Sequence, residues 1–169
     1  MIIRKAKSED AKRVAEINVN GWHTAYKGLV PDDFLDKWQV TEKRIENFKK
    51  AIENTDHIFL VAEKDGYVIG YLNGGKNEKG KRTIPIDHEV YGLYIDPTFQ
   101  RQGVGRALLA EFKKQIQDQQ FFLHIMKGNK EAMTFYTEVG GERSPEYDMD
   151  HTWGDVTCRI EAFIFPSDK

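Results

Sequence analysis

Polar and apolar positions follow two rhythms along this chain. "MIIRKA" is a short run with strand character. Ser8 reads as a helix N-cap, with Glu9 and Asp10 suited to the positive end of a helix dipole. Val14, Ile17 and Gly21-Trp22 then recur at helical spacing, which predicts a helix to about Tyr26. "KGLVP" breaks it. Pro31 ahead of Asp32 and Asp33 restarts a short helix through Trp38, and Thr41 caps a third helical piece with Ile45, Phe48 and Ile52 on one face. "HIFLVAE", the Lys64-Asp65-Gly66 turn and "YVIGYLNGG" predict a hairpin, because Asp-Gly favours a tight turn between strands. "NEKGKRT" reads as a polar loop, and "IDHEVYGLYI" as a long strand that stops at Pro97. The segment after Gly105 predicts a helix burying Ala107, Leu108, Phe112 and Ile116 or their neighbours. "FFLHIM" is a strand, Asn129 to Glu138 a helix closed by Gly140-Gly141, and two last strands fall around Glu142–Met149 and Asp155–Phe165.

With the pieces between Pro31 and Ile52 taken together, the order is β-α-α-β-β-β-α-β-α-β-β. Such an order predicts an α/β (α+β) chain: a mixed, mostly antiparallel sheet of about seven strands with helices on both faces. A length of 169 residues predicts one domain, residues 1–169.

Composition narrows the partners. The formal net charge of −2 lacks the general basic field that nucleic acid or an anionic membrane surface would need. No apolar run approaches the ~20 residues of a membrane span, and "MIIRKAKSED" has no apolar core of a signal peptide. Cys158 is the one cysteine, so no internal disulfide forms, which fits a reducing cytoplasm. It lies in "DVTCRIEAFIF" and reads as a packing residue. That same run is rich in β-formers and reads as an edge strand, a feature often covered by a partner copy, so a homodimer is expected. No His/Cys/Asp cluster has metal-ligand spacing, and no metal is expected.

The chemistry begins at "YIDPTFQRQGVGRALLAEF", Tyr94 to Phe112. Two glycines one residue apart open a helix, with Gln100, Arg101 and Arg106 around them. The first amides of a helix lack intrahelical partners and carry partial positive charge, which suits a phosphate. A glycine admits close approach to them, and the arginines add charged donors. Gly-x-Gly by itself also marks a plain tight turn. A P-loop would need Gly-Lys-Ser/Thr, and a dinucleotide fingerprint a small residue where Leu108 stands.

Two motifs together are specific. Gln100-Arg101-Gln102-Gly103-Val104-Gly105 resembles the Gln/Arg-x-x-Gly-x-Gly/Ala signature of the GCN5-related N-acetyltransferases. "NKEAMTFYTEVGG" is similar to that family's second motif, Asn-x-x-Ala-x-x-x-Tyr followed by a glycine turn, though the aromatic residue common after the turn is here Gly141. The resemblance implies the acyl-CoA N-acyltransferase fold, with acetyl-CoA as co-substrate in a cleft between two splayed strands. It implies that the amides from Gln102 through Gly103, Val104 and Gly105 to Arg106 hold the pyrophosphate. It implies that the backbone of Leu93, Tyr94 and Ile95 pairs with the pantetheine arm. The side chain of Asn129 can hydrogen-bond an amide of the same arm; its alternative is an ordinary helix N-cap, and both can hold. Dimers are common in the family.

Acetyl transfer to an amine needs a neutral amine, a donor for the thioester oxygen and a proton for the leaving thiolate. Tyr136, at the motif's tyrosine position, is the candidate acid; its alternative is a core tyrosine beside Phe135. Glu89 is the candidate base, six residues before Ile95; its alternative is a solvated glutamate at a strand start, with Asp87 and His88 next door. By alternation Glu89 shares a face with Tyr91 and Leu93, unless a bulge changes the count. His124 reads as a paired strand histidine. "GWHTAYKGLVPDDFLDKW" is the expected acceptor wall, with Trp22, Tyr26 and Trp38 as an apolar or cation-binding surface and Asp32, Asp33 and Asp36 able to attract an amine. Trp22, Tyr26, Glu89 and Tyr91 are the acceptor residues expected. The acceptor itself is read as a small-molecule amine, with a peptide or protein amine and a non-catalytic acyl-CoA-binding module as alternatives.

Overall fold

The computed structural model describes residues 1–77 and 83–167, so most of the expected "NEKGKRT" loop lies outside the described residues. The strands are β1 Ile2–Lys5, β2 His57–Lys64, β3 Tyr67–Lys76, β4 His88–Ile95, β5 Phe121–Met126, β6 Glu142–Arg143, β7 Met149–Trp153 and β8 Val156–Phe165. The helices are α1 Ala11–Ala25, α2 Asp32–Lys37, α3 Glu42–Glu53, α4 Val104–Gln115 and α5 Lys130–Glu138. The sheet has eight strands in the order β1-β2-β3-β4-β5-β8-β6, with β7 also on β8. All described strand pairs are antiparallel except β4 with β5. The fold is thus the mixed, mostly antiparallel one expected, with one strand more than the estimate. None of its helices, among the described residues, is long and apolar enough to cross a membrane.

The extra strand has a plain cause. The single strand expected at Glu142–Met149 is cut by Pro145, which starts a 3-10 turn over Pro145–Tyr147 and leaves β6 and β7 as separate pieces. Asp148 then accepts the Ala162 N–H at 3.0 Å and pairs with Arg143, stitching the turn to β8. Two other expectations fail. Ser8 does not cap α1: its Oγ donates to Glu53 at 2.7 Å, and the carboxylate of Asp10 accepts the Lys7 N–H instead. Nor is β8 an edge. It pairs with β5 on one side and with β6 and β7 on the other, so the edge argument for a homodimer does not attach to it.

The pleat sends side chains to two cores. Leu60, Ala62, Ile69 and Leu72 pack under α4 and α5, with Leu108, Phe112 and Tyr136. Phe59, Val61, Val68 and Tyr71 pack under α1 and α3, with Val14, Ile17 and Ile52. Along α4 the buried residues are Val104, Leu108, Leu109 and Phe112, so Leu109 takes the place expected for Ala107. The departure at Gly141 is also filled: a Cβ there would stand 2.7 Å from Phe165 Cζ, so the Phe165 ring occupies that space.

One feature of the sheet makes a cleft. β4 and β5 pair only at His88↔Phe121 and Glu89↔Phe122. Beyond Glu89 no further pair joins them among the described residues, and β4 runs on to Ile95 held by β3 alone. A bulge sits at the same level: Asn73 faces Gly92 and Gly74 faces Val90, which leaves Tyr91 as the extra residue. The bulge overturns the simple alternation. Leu93 joins Val90 on the α4 side, while Glu89 lines the opposite cleft with Gly92 and Tyr94.

Gly21 lets that wall form. It sits inside α1, and a Cβ there would fall 2.5 Å from Tyr94 Cδ1. The Tyr94 ring has little freedom, since it stacks on Tyr71 at 5.6 Å. Glycine to alanine in a helix ordinarily stabilises by up to about 1 kcal/mol. Here Gly21→Ala is expected to destabilise by about 1–3 kcal/mol through overpacking. Urea unfolding measures it; a gain in stability would mean that Tyr94 has room to move.

Candidate active site

The turn from β4 to α4 builds the first half of the site. Asp96 accepts the Thr98 N–H at 3.0 Å and the Thr98 hydroxyl at 2.7 Å, and Arg13 Nη2 holds its other oxygen at 2.5 Å. Arg101 and Gly103 follow with φ of +59° and +81°. The first bond back to Gly103 O comes from Ala107, at 3.0 Å, so the amides of Val104, Gly105 and Arg106 precede the helical ladder.

The two glycines do different work. A Cβ on Gly103 would meet nothing within 4 Å, so its amide face is open, and its φ demands glycine. A Cβ on Gly105 would stand 2.8 Å from Phe135 Cζ. Gly105 therefore admits the Phe135 ring from α5 and locks the two helices together. Of the two glycines expected to clear space for a phosphate, Gly103 has open space beside it, while the space beside Gly105 is taken by the Phe135 ring. Gln100 and Gln102 turn their side chains back to the carbonyls of Ile95 and Thr98, at 3.5 and 3.1 Å. Arg101 and Arg106 pair with Glu131 and Glu138 at 3.6 and 3.5 Å, all well exposed, in contacts weak enough to be exchanged for an anion.

The β4 edge is the second half. Leu93, Tyr94 and Ile95 pair with Leu72, Tyr71 and Gly70 on one side, and their other side faces the gap toward β5. An open strand edge is a ready partner for the amides of a pantetheine arm. Across the gap, Asn129 Oδ1 accepts the Ala132 N–H at 3.2 Å and so caps α5. The residues present thus fit coenzyme A: open helix-start amides for phosphate and an unpaired strand for amides.

Three tyrosines meet where the strands part. Tyr26 ends α1, and its hydroxyl lies 3.3 Å from that of Tyr94. Tyr136 comes from α5, buried among Phe135, Phe163 and Phe165 with ring centroids 5.1, 6.3 and 6.2 Å away. Its phenol is pushed up by burial and further by the Tyr26 hydroxyl. Burial also raises Tyr94 and Tyr26, the Tyr26 shift being tempered by the bond to Tyr94. All three are protonated across the neutral range. Sequence reasoning separated them: Tyr136 as acid, Tyr26 as wall, Tyr94 for its backbone.

Beyond the tyrosines opens a cleft of about 340 Å³. Trp22, Tyr26, Glu89 and Tyr91, the expected acceptor residues, all line it, as does Trp38. Trp22 stacks on Trp38 at 4.0 Å and meets Tyr26 edge-on at 4.5 Å. Glu89 is 5% exposed. Tyr91 stands at the rim, its hydroxyl donating to Lys76 O at 2.6 Å. His124 donates Nε2–H to Tyr147 O at 3.0 Å, the paired role expected. Asp32, Asp33 and Asp36 are exposed on α2 and none is among the residues that line the cleft. Cys158 packs, half-buried, against the same aromatic cluster.

Trp153 and Arg44 went unnoticed in the sequence. Trp153 closes the cluster from β7, 5.5 Å from Trp22. Its segment carried no periodic signal. Arg44 carried one: it stands four residues before Phe48, on the face of α3 that turns inward.

Residues 22–140 match the model of the acetyltransferase (GNAT) family. The chain is 31% identical over 147 residues to the uncharacterized N-acetyltransferase YuaI of Bacillus subtilis strain 168, covering 85% of this chain and 82% of that one. It is 24% identical over 145 residues to a spermidine N(1)-acetyltransferase of Thermoplasma acidophilum, covering 82% and 86%. Its fold is similar to the crystal structure of the PaiA N-acetyltransferase of Thermoplasma acidophilum in complex with coenzyme A, with a TM-score of 0.75, 23% identity and 99% and 98% coverage.

Proposed function

The chain belongs to the acetyltransferase (GNAT) family, enzymes that use acetyl-CoA as co-substrate, and from that premise we propose that it acetylates the primary amine of a small molecule by direct attack in a ternary complex. The observation that carries the small-molecule reading is the acceptor cleft. At about 340 Å³, with aromatic walls of Trp22, Trp38, Tyr94 and Trp153 set among the polar side chains of Asn18, Arg44, Asn73 and Glu89, it has the volume of a small-molecule pocket and a few polar groups to orient what enters it. A peptide amine would call for an open groove along the strands.

Acetyl-CoA supplies the acetyl group as a thioester, and its sulfur leaves as a thiolate that takes its proton from solvent. The amides of Gln102 to Arg106 receive its pyrophosphate, with Gln100 and Arg101 on the rim. The backbone of Leu93 to Ile95 extends the sheet to its pantetheine arm, and Asn129 closes on the arm from α5. Glu89 takes the amine proton, directly or through water, because an alkyl amine with pKa near ~10.4 is neutral in only about one molecule per few thousand at pH 7. Tyr136 Oη donates a hydrogen bond to the departing sulfur. With its phenol above the ordinary value of 10, it stabilises negative sulfur as a donor more readily than it surrenders the proton outright.

A screen of primary amines with purified protein, acetyl-CoA and thiol detection tests this reading. Turnover on at least one small amine is expected. Tight acetyl-CoA binding with no turnover on any amine would favour an acyl-CoA sensor instead. The cofactor half has its own test. Gly103→Ala strains a left-handed backbone by about 1–2 kcal/mol and distorts the open amides, so acetyl-CoA affinity should fall about tenfold. Arg106→Ala should lose less than about 1 kcal/mol, because its pair is exposed and the amides remain. Calorimetry on folded variants reads both; unchanged affinity in Gly103→Ala would remove the phosphate assignment.

A further inference from the structure

The acceptor cleft contains a cation that acetyl transfer to a simple amine does not need. Arg44 reaches it from the first turn of α3, where the positive end of the helix dipole disfavours a cation. Its guanidinium is held in place. It lies 3.9 Å above the Trp38 ring, Nε donates to Gln39 O at 3.0 Å, and Nη1 reaches Asn18 Oδ1 at 3.5 Å. A guanidinium has five N–H donors, and these two bonds leave three of them without a partner among the described residues. No carboxylate pairs with it among those residues. Burial lowers its pKa, so the charge is held there against its own desolvation.

Glu89 lines the same cleft from a different element, β4, where it pairs with Gly75 of β3 and Phe122 of β5. The remaining titratable groups on the lining are His124, His151, Tyr26, Tyr71, Tyr91 and Tyr94. A polyamine fits such a site poorly: one carboxylate lines it, and a fixed cation would repel the second ammonium.

Resting on the acetyl-transfer reading, we infer that the acceptor is a zwitterion of amino-acid type, whose carboxylate is gripped by Arg44 while its amine is presented toward Glu89 and the opening between β4 and β5. The three available N–H groups match a carboxylate in the plane of the guanidinium. The Trp22–Trp38 stack covers the carbon chain between the two ends.

The test compares aminocarboxylates from glycine to 6-aminohexanoate with alkylamines of matching length, with spermidine, and with 2-aminoethylphosphonate. Wild-type enzyme is expected to favour an aminocarboxylate in kcat/KM by at least tenfold over its alkylamine. Arg44→Gln should raise KM for that aminocarboxylate roughly 10- to 100-fold with kcat little changed, Arg44→Lys should recover part of the loss, and the alkylamine should respond far less. Preference for an alkylamine or spermidine would overturn the inference, and preference for the phosphonate would overturn the carboxylate. Calorimetry of the N-acetylated aminocarboxylate against its neutral amide needs neither turnover nor a variant. Equal binding of the two removes the zwitterion. An absence of turnover on every amine, with the acid still bound more tightly, would remove the enzyme reading and leave the anion site standing.

Discussion

Replacing Tyr136 by phenylalanine should lower the catalytic rate roughly 10²-fold, within the usual range for removing a donor aimed at developing negative charge, while acetyl-CoA affinity stays near wild type. The ring is a core element, packed against Phe135, Phe163 and Phe165, and phenylalanine keeps that packing. Only the hydroxyl is lost. Burial and the Tyr26 hydroxyl raise the phenol, so it remains protonated from acid through neutral to moderately alkaline pH. The defect should therefore be constant between pH 6 and 9. The same burial argues that no other donor replaces it cheaply, although Tyr26 and Tyr94 stand near with hydroxyls 3.3 Å apart. Tyr26→Phe should cost less, because its hydroxyl acts on the sulfur only through its neighbours. Single-turnover rates with one confirmed acceptor decide it. A Tyr136→Phe enzyme at near-normal rate would return the residue to core packing.

Much of this architecture could be read from periodicity. The Asp-Gly hairpin, the helix after Thr41, the helix expected after Gly105, which begins two residues earlier at Val104, and the strand "FFLHIM" all rest on local chemistry that tertiary packing did not override. The misses have a common physical character: each depends on what lies across space. The bulge at Tyr91 requires knowing that Asn73 and Gly74 face Gly92 and Val90. The interior place of β8 depends on β6 and β7 folding back onto it after Pro145. At Gly105 a sequence shows only a missing side chain, and the Phe135 ring that fills the space is thirty residues away by number. Trp153 reaches the cleft from β7, whose pattern carries no periodic signal, and Arg44 from the inward face of α3, where its spacing to Phe48 tells that it turns inward but not what it meets there. The open helix-start amides and the strand edge proposed for the cofactor were legible because they belong to one continuous stretch, Leu93 to Arg106. The acceptor half is assembled from at least five elements, and no spacing in the chain records that assembly.

The pH dependence of Glu89→Gln should differ in kind from that of Tyr136→Phe. Glutamine preserves the volume of a side chain that is 5% exposed, at the level where β4 and β5 last pair. It removes the ability to accept a proton. If Glu89 takes the amine proton, the variant suffers most at low pH, where neutral amine is scarcest. For an amine of pKa ~10.4 each unit of pH below that value lowers the neutral fraction about tenfold. Raising the pH lets bulk water deliver the neutral form, so a defect of roughly 10²-fold at pH 6.5 should shrink by pH 9. An acceptor with a less basic amine should show the smaller defect at every pH, since less of it waits to be deprotonated. Rate against pH for the wild type and both variants, with two acceptors of different basicity, separates the roles. A Glu89→Gln loss that stays constant across pH, and is equal for both acceptors, would assign the carboxylate to holding the cleft wall at the β4 bulge and not to proton transfer.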